Sequence, residues 1–231
     1  MANLQSESSN HGLRYMLSQY WQDNGNPRTA GLPLIREGPW FTFCVIGVYL
    51  LFVTKVGPAM MRKRAAYQLR LPMLVYNSSM VVINFYFLFK SLSWLNYGRE
   101  LVNFKWPEWE TSDKFNTEDA REQVWSFYLY WLTKFVDLLD TIFFVLRKKD
   151  RQITHLHLYH HSIVPILGWY YIWYVFGVPA INLFAFLNSC CHTIMYSYYA
   201  LSALGPQIQP YLWWKKYITQ IQLLQFLLLG L

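Results

Sequence analysis

Three histidines stand where an apolar stretch begins. His157, His160 and His161 form the run HLYHH, directly after the basic run Arg147–Lys148–Lys149–Asp150–Arg151 and before the aromatic stretch from Ile163 to Val178. On a helix they occupy positions i, i+3 and i+4 and share one face. Imidazole is a nucleophile, a proton shuttle and a metal ligand near neutral pH. Ionisable groups where a membrane helix meets water are expensive, so three together call for a chemical purpose. His155 precedes His157 by two positions, so on a helix it points nearly opposite and stands outside the cluster.

Other polar residues interrupt apolar runs at helical spacing. In WLTKFVDLLDTIFFVLRKK lie Lys134, Asp137 and Asp140. Each would cost roughly 2.5–3.5 kcal/mol near a bilayer centre. Lys134 and Asp137 are three apart and can pair, and Thr141 shares the Asp137 face one turn on. Two readings stand side by side: an ion pair locking helices together, or a polar wall orienting catalytic groups. Further on, Asn188, His192, Tyr196 and Tyr199 make one stripe, with Tyr198 on a neighbouring face. Thr219, Gln222 and Gln225 repeat every three residues, as helix–helix glue or as the lining of a polar cavity.

These residues need helices in lipid to position them. The chain has 231 residues, 54% of them hydrophobic, 19% aromatic and only 14% charged. Soluble domains carry about 25% charged residues. Mean hydropathy is only +0.12 because Trp and Tyr weigh as polar. Both suit bilayer interfaces. Six apolar segments, near 39–57, 71–92, 123–146, 157–176, 180–203 and 212–231, predict an all-α integral membrane bundle of six transmembrane helices. Residues 1–35 read as a polar N-terminal segment, with Met1–Gly31 as a mobile tail or short interfacial piece, and 36–231 as one transmembrane domain. No cleavable signal peptide is expected. The net charge of +7 lies in short loops, so positive-inside topology accounts for most of it and nucleic acid is not expected as a partner. Arg62, Lys63, Arg64 and Arg70 mark the first loop as cytosolic. The acidic second loop, Ser93–Gln123, reads as lumenal. The loops with Arg147, Lys148, Lys149 and Arg151 and with Lys215–Lys216 read as cytosolic. Asn77-Ser78-Ser79 matches a glycosylation acceptor but lies in or beside a cytosolic-side span, so it is discounted. The cysteines imply no disulfide framework.

Four motifs in order give the chain a resemblance: KFVDLLDT (Lys134–Thr141), HLYHH (His157–His161), HTIMYSYY (His192–Tyr199) and TQIQLLQ (Thr219–Gln225). With LRKK and YLWWKKY between them, the sequence closely resembles the ELOVL family, the elongases of very-long-chain fatty acids. The likeness runs from the first span to the last residue. The family usually has Glu where this chain has Asp137. It typically has seven spans and often a C-terminal dilysine signal, so the end at Gly230–Leu231 reads as a truncation relative to the family.

The resemblance implies condensation of a long-chain acyl-CoA with malonyl-CoA, giving a 3-oxoacyl-CoA two carbons longer, CO2 and CoA. It implies no cofactor and no metal beyond these two substrates. A neutral imidazole can attack a thioester and form an acyl-imidazole. On this reading His160 is the nucleophile, His161, His157 and His192 are orienting or acid–base partners, and Asp137 and Asp140 belong to the catalytic wall. His192, Asn188, Gln222 and Lys134 are donors for the enolate and oxyanion. Arg147, Lys149, Gln152, Lys215 and Thr219 hold CoA at the cytosolic mouth, and Tyr198 joins the substrate-binding set. The acyl tail lies in membrane lipid surroundings, in a tunnel between spans. The implied setting is the endoplasmic reticulum membrane, multi-pass, with a possible homodimer and association with other elongation-cycle enzymes.

The main alternative is a membrane di-iron desaturase or hydroxylase, which also carries His-x-x-His-His boxes. Its two irons take about eight histidines, and this chain has six, one of them in the tail. A transporter or channel is the third reading, weakened by the absence of internal repeats.

Overall fold

A computed structural model describes residues 12–99, 118–175 and 179–229. All regular structure among the described residues is helical. The helices, in chain order, are α1 (Trp40–Met61), α2 (Arg70–Trp94), α3 (Glu118–Val136), α4 (Leu139–Leu146), α5 (His155–Tyr170), α6 (Pro179–Ala203) and α7 (Lys215–Leu229). The six apolar segments of the sequence coincide with these helices, with one segment split into α3 and α4. Two helices, α1 with mean hydropathy 1.8 and α2 with 1.4, have both the length and the apolarity to cross a membrane by composition alone. The others owe their lower apolarity to the polar residues described above and to Tyr and Trp. Much of the lumenal-loop expectation for Ser93–Gln123, including Glu100, Glu108, Glu110 and Asp113, lies outside the described residues.

Several large apolar side chains on the helices face outward, while three charged residues within the α3–α4 segment are buried. Val48, Leu71, Val82 (69% exposed) and Leu227 (80%) are bare, whereas Lys134 (4%), Asp137 (3%) and Asp140 are buried. Lipid as the surrounding solvent calls for this inversion, since hydrocarbon tolerates Leu and Val and penalises charge.

The chain forms two compact units. The first comprises Met1–Ala66 and Asp113–Phe176, the second Tyr67–Ser112 and Gly177–Leu231. In the first unit α5 lies against α1 and α3, and α4 lies against the end of α1. Ile46, Tyr49 and Val53 of α1 share a core with Met61, Leu138 and Val145. Trp131 joins α3 to α5: it is buried, and its indole N–H donates to the Pro165 carbonyl at 2.9 Å. A Cβ on Gly168 would stand 2.6 Å from Trp131 Cδ1. Small residues let membrane helices approach closely, which is where their packing energy arises. The hydrogen bond pins the indole, so it cannot swing aside. Gly168→Ala is therefore expected to cost about 1–3 kcal/mol through overpacking, read as a lowered unfolding midpoint in detergent; an unchanged midpoint would refute this account of the contact.

Residues 12–39 are folded onto the end of α5 and the helical turn Tyr171–Val175 that continues it, not held as a tail. The Asn26 N–H donates to the Trp173 carbonyl at 2.7 Å. Thr29 Oγ1 donates to the Ile172 carbonyl at 2.9 Å, and the Trp173 indole to the Trp21 carbonyl at 2.8 Å. Trp21, Trp169 and Trp173 lie ring against ring. The polar composition of this segment satisfies carbonyls in the last described turn of the helix. Residues 1–11 are outside the described set.

In the second unit α6 lies along α2 over most of its length and also contacts α7. Tyr76 meets Tyr196, and Arg70 at the start of α2 meets the end of α6, so the two helices run antiparallel. The Arg70 guanidinium donates to the Ala203 carbonyl at 2.8 Å and to the Leu204 carbonyl. A cation on the last carbonyls of a helix favours its dipole. Gly205, at φ 117°, leaves room, since a Cβ there would sit 2.8 Å from Arg70 Nη2. Arg70, read as a topology charge, is thus also a helix cap. Asn77 of the glycosylation match is buried in α2.

Candidate active site

In the first unit three devices place the histidines. The segment expected as one span is broken at Asp137–Leu138, where bonding tightens: Leu138 N–H reaches the Phe135 carbonyl and Asp140 N–H the Asp137 carbonyl. Three-residue bonding of this kind winds a helix tighter and re-aims the following turn. Helix α4 then ends with Lys148 in the left-handed region, φ 53°, while Lys149 N–H returns to the Phe144 carbonyl. Such a reversal stops a helix sharply, although glycine is its usual occupant. A short turn over Asp150–Gln152 leads to Thr154, whose Oγ1 accepts from His157 N–H and caps α5. The cap fixes the first turn of α5, which carries the box.

The three imidazoles are neighbours, as their spacing predicts. His157 and His161 have ring centroids 4.2 Å apart, and His160 and His161 5.7 Å apart. His161 is buried and the other two are half-buried. Phe144 of α4 lies against His157 at 5.6 Å. Pro165 stands four residues after His161 and has no N–H for its carbonyl. His155 is exposed at the helix start.

Lys134 Nζ is 3.0 Å from Asp137 Oδ2, and both side chains are buried. The ammonium also lies over the Tyr130 ring, 4.6 Å from its centroid. Lys134 and Asp137 therefore pair as their i, i+3 spacing predicts. Asp140 is buried in the first turn of α4. Thr141 bridges two elements: its Oγ1 is 2.7 Å from His157 Nε2 and 2.8 Å from the Tyr49 hydroxyl. Tyr49 was not among the sequence candidates. It is a single hydroxyl in an apolar run, and its partner lies 92 residues away. Arg147 is half-exposed, and Lys149 and Gln152 are exposed, on the approach to α5.

In the second unit Asn188, His192 and Tyr196 are buried along α6. His192 and Tyr196 have centroids 5.6 Å apart, and Tyr76 of α2 approaches Tyr196 hydroxyl to hydroxyl at 3.4 Å. Gln222 is half-buried and its Nε2 donates to Met195 Sδ at 3.1 Å, joining α7 to α6. Gln225 is buried, while Lys215 and Thr219 are exposed. Tyr198, expected to touch substrate, is buried in an apolar cluster with Met80, Leu212 and Ile218, its ring 5.4 Å from that of Trp214. Tyr196 of the stripe belongs to the same cluster, and Tyr199 packs against it.

Among the described residues no group of three His, Cys, Asp or Glu side chains converges as a metal ion would require. What the first unit offers is a set of adjacent imidazoles backed by a buried ion pair and a hydroxyl relay.

The chain matches known proteins over nearly all of its length. Human very long chain fatty acid elongase 1 is 40% identical over 217 residues, 93% of this chain and 75% of that protein. Rat very long chain fatty acid elongase 7 is 36% identical, covering 90% of this chain and 72% of that protein. Human very long chain fatty acid elongase 4 is 41% identical over 199 residues, 86% of this chain and 61% of that protein. The profile of the ELO family, GNS1/SUR4, matches residues 34–231, and those residues hold the histidine box, the Lys134–Asp137 pair and the α6 stripe together. With both matches spanning the helices that carry the candidate site, the chain belongs to the GNS1/SUR4 family.

Proposed function

We propose that the chain is a very-long-chain fatty acid elongase, a 3-oxoacyl-CoA synthase that condenses long-chain acyl-CoA with malonyl-CoA. The observation that carries the reading is the box itself: three adjacent imidazoles beside a buried ion pair, in a chain 40% identical to a human elongase. His160 attacks the thioester carbonyl of acyl-CoA. The C–S bond breaks, CoA leaves as the thiol with the imidazole proton, and an acyl-imidazole remains. Malonyl-CoA then loses CO2, its enolate carbon attacks the acyl carbonyl, and the C–N bond breaks as the departing imidazole takes up one proton from solvent, relayed by the neighbouring imidazoles. His157 and His161 orient and exchange protons around His160, with Lys134, Asp137 and Asp140 fixing the local field. Asn188, His192 and Gln222, held in the second unit, are donors of the type that enolate and oxyanion stabilisation requires. Half-exposed Arg147 and the exposed Lys149, Gln152, Lys215 and Thr219 bind CoA phosphates and adenine. Tyr198, buried beside the second-unit stripe, belongs to the substrate-binding set on this reading.

The same reading gives six membrane-crossing segments, with α3 and α4 sharing one, and an endoplasmic reticulum location with the CoA-binding end cytosolic. It includes a homodimer and contact with other elongation-cycle enzymes. Membranes containing the chain, given labelled malonyl-CoA and a panel of acyl-CoAs, are expected to yield labelled 3-oxoacyl-CoA two carbons longer. No labelled product across the panel would sink the proposal, and stoichiometric iron in the purified protein would move it to oxygen-dependent chemistry on the acyl chain.

A further inference from the structure

Within the first unit a chain of hydrogen bonds runs from α1 through α4 to the histidine box. The Tyr49 hydroxyl is 2.8 Å from Thr141 Oγ1, and Thr141 Oγ1 is 2.7 Å from His157 Nε2. Tyr49 and Thr141 are both buried, so bulk water does not substitute for either bond. Thr141 has one hydroxyl proton to share between two partners. Imidazole nitrogen is a stronger acceptor than a phenol oxygen, and a phenol is a stronger donor than an aliphatic hydroxyl. Of the two relay directions that fit these distances, the lower-cost one has Tyr49 donating to Thr141 and Thr141 donating to His157 Nε2. His157 then carries its proton on Nδ1. Which nitrogen of a histidine is protonated is decided by the bond its other nitrogen makes. The ring is also held in place by Phe144 on α4 and by the Thr154 cap at its own backbone N–H.

We infer that Tyr49 is a positioning residue of the active site, acting through Thr141 to lock His157 in the Nδ1–H tautomer with its Nε2 occupied. His157 thereby serves as a fixed proton donor within the box and not as its nucleophile or its base at Nε2. Its ring lies 4.2 Å from that of His161, which in turn neighbours His160, so a fixed His157 fixes the packing of both other rings. The role in catalysis rests on the elongase reading; the hydrogen-bond relay itself does not.

Two measurements on the full chain in lipid nanodiscs test this. First, steady-state elongation: Tyr49→Phe and Thr141→Val are each expected to lower kcat about tenfold, the scale of one lost hydrogen bond at the reacting centre, with KM for malonyl-CoA unchanged. Thr141→Ser, which keeps the hydroxyl, restores kcat. The double variant is no worse than Thr141→Val, because a relay cut twice is still one broken relay. Second, carbethoxylation by diethyl pyrocarbonate, followed peptide by peptide: His157 is expected to react severalfold faster in Thr141→Val than in the unaltered chain, with exposed His155 as the internal standard. Full kcat in Tyr49→Phe, multiplying losses in the double variant, or a Thr141→Ser variant as slow as Thr141→Val would overturn the positioning role. Equal His157 reactivity in both proteins would overturn the relay. An unaltered chain that makes no 3-oxoacyl product defeats the elongase reading alone, since the reactivity measurement reads the relay without turnover.

Discussion

Asp137→Ala is expected to destabilise the first unit by about 3–5 kcal/mol, because it strands the Lys134 ammonium in a buried position. The carboxylate 3.0 Å away neutralises that charge, and the Tyr130 face at 4.6 Å offers a weaker substitute. A cation–π contact of this kind contributes about 2 kcal/mol at most when desolvated, less than the penalty it would need to cover. Fluorescence-detected thermal unfolding in detergent reads the loss; a midpoint unchanged from the parent would mean the pair does not carry the fold. The companion variant, Lys134→Met with Asp137→Leu, removes both charges and keeps volume. Replacing a buried pair by apolar residues is often neutral for stability, so this variant is expected to fold. It separates the two readings of the pair. A helix lock alone predicts an active apolar variant. A polar wall for catalysis predicts a folded protein without elongation, and this second outcome is the one expected.

The helices were legible because their signal is local. Apolar runs of about twenty residues and the spacing of Asn188, His192 and Tyr196 fix which faces turn inward, and the structure buries those faces. Lys134 and Asp137 pair as their i, i+3 spacing requires. What escaped the sequence is non-local or conformational. The break at Asp137–Leu138 occurs in VDLLDT, which has neither Gly nor Pro to announce it. The Tyr49–Thr141 bond joins residues from different helices, and no periodicity encodes that. Residues 12–39 look like a tail because they are polar, yet their polar groups answer carbonyls of a distant helix. Tyr198 shares one buried cluster with Tyr196 of the stripe, and its contacts with Met80, Leu212 and Ile218 come from other elements that no spacing encodes.

His160→Ala is expected to lower elongation on the order of 10³-fold or more, the scale on which removing a nucleophile abolishes covalent catalysis, while leaving the unfolding midpoint unchanged. The argument for His160 over its neighbours comes from what each ring already does. His157 has its Nε2 engaged by Thr141 at 2.7 Å. His161 is the most buried of the three and lies between the other two rings. His160 is half-buried, so an incoming thioester can reach it. Incubation with acyl-CoA in the absence of malonyl-CoA withholds the second half-reaction, so the acyl group should accumulate on His160 and appear as a mass increment on its peptide. Addition of malonyl-CoA should then discharge it as the 3-oxoacyl product. Acylation of any other residue, or undiminished turnover in His160→Ala, would assign the nucleophile elsewhere in the box and leave His160 to proton transfer.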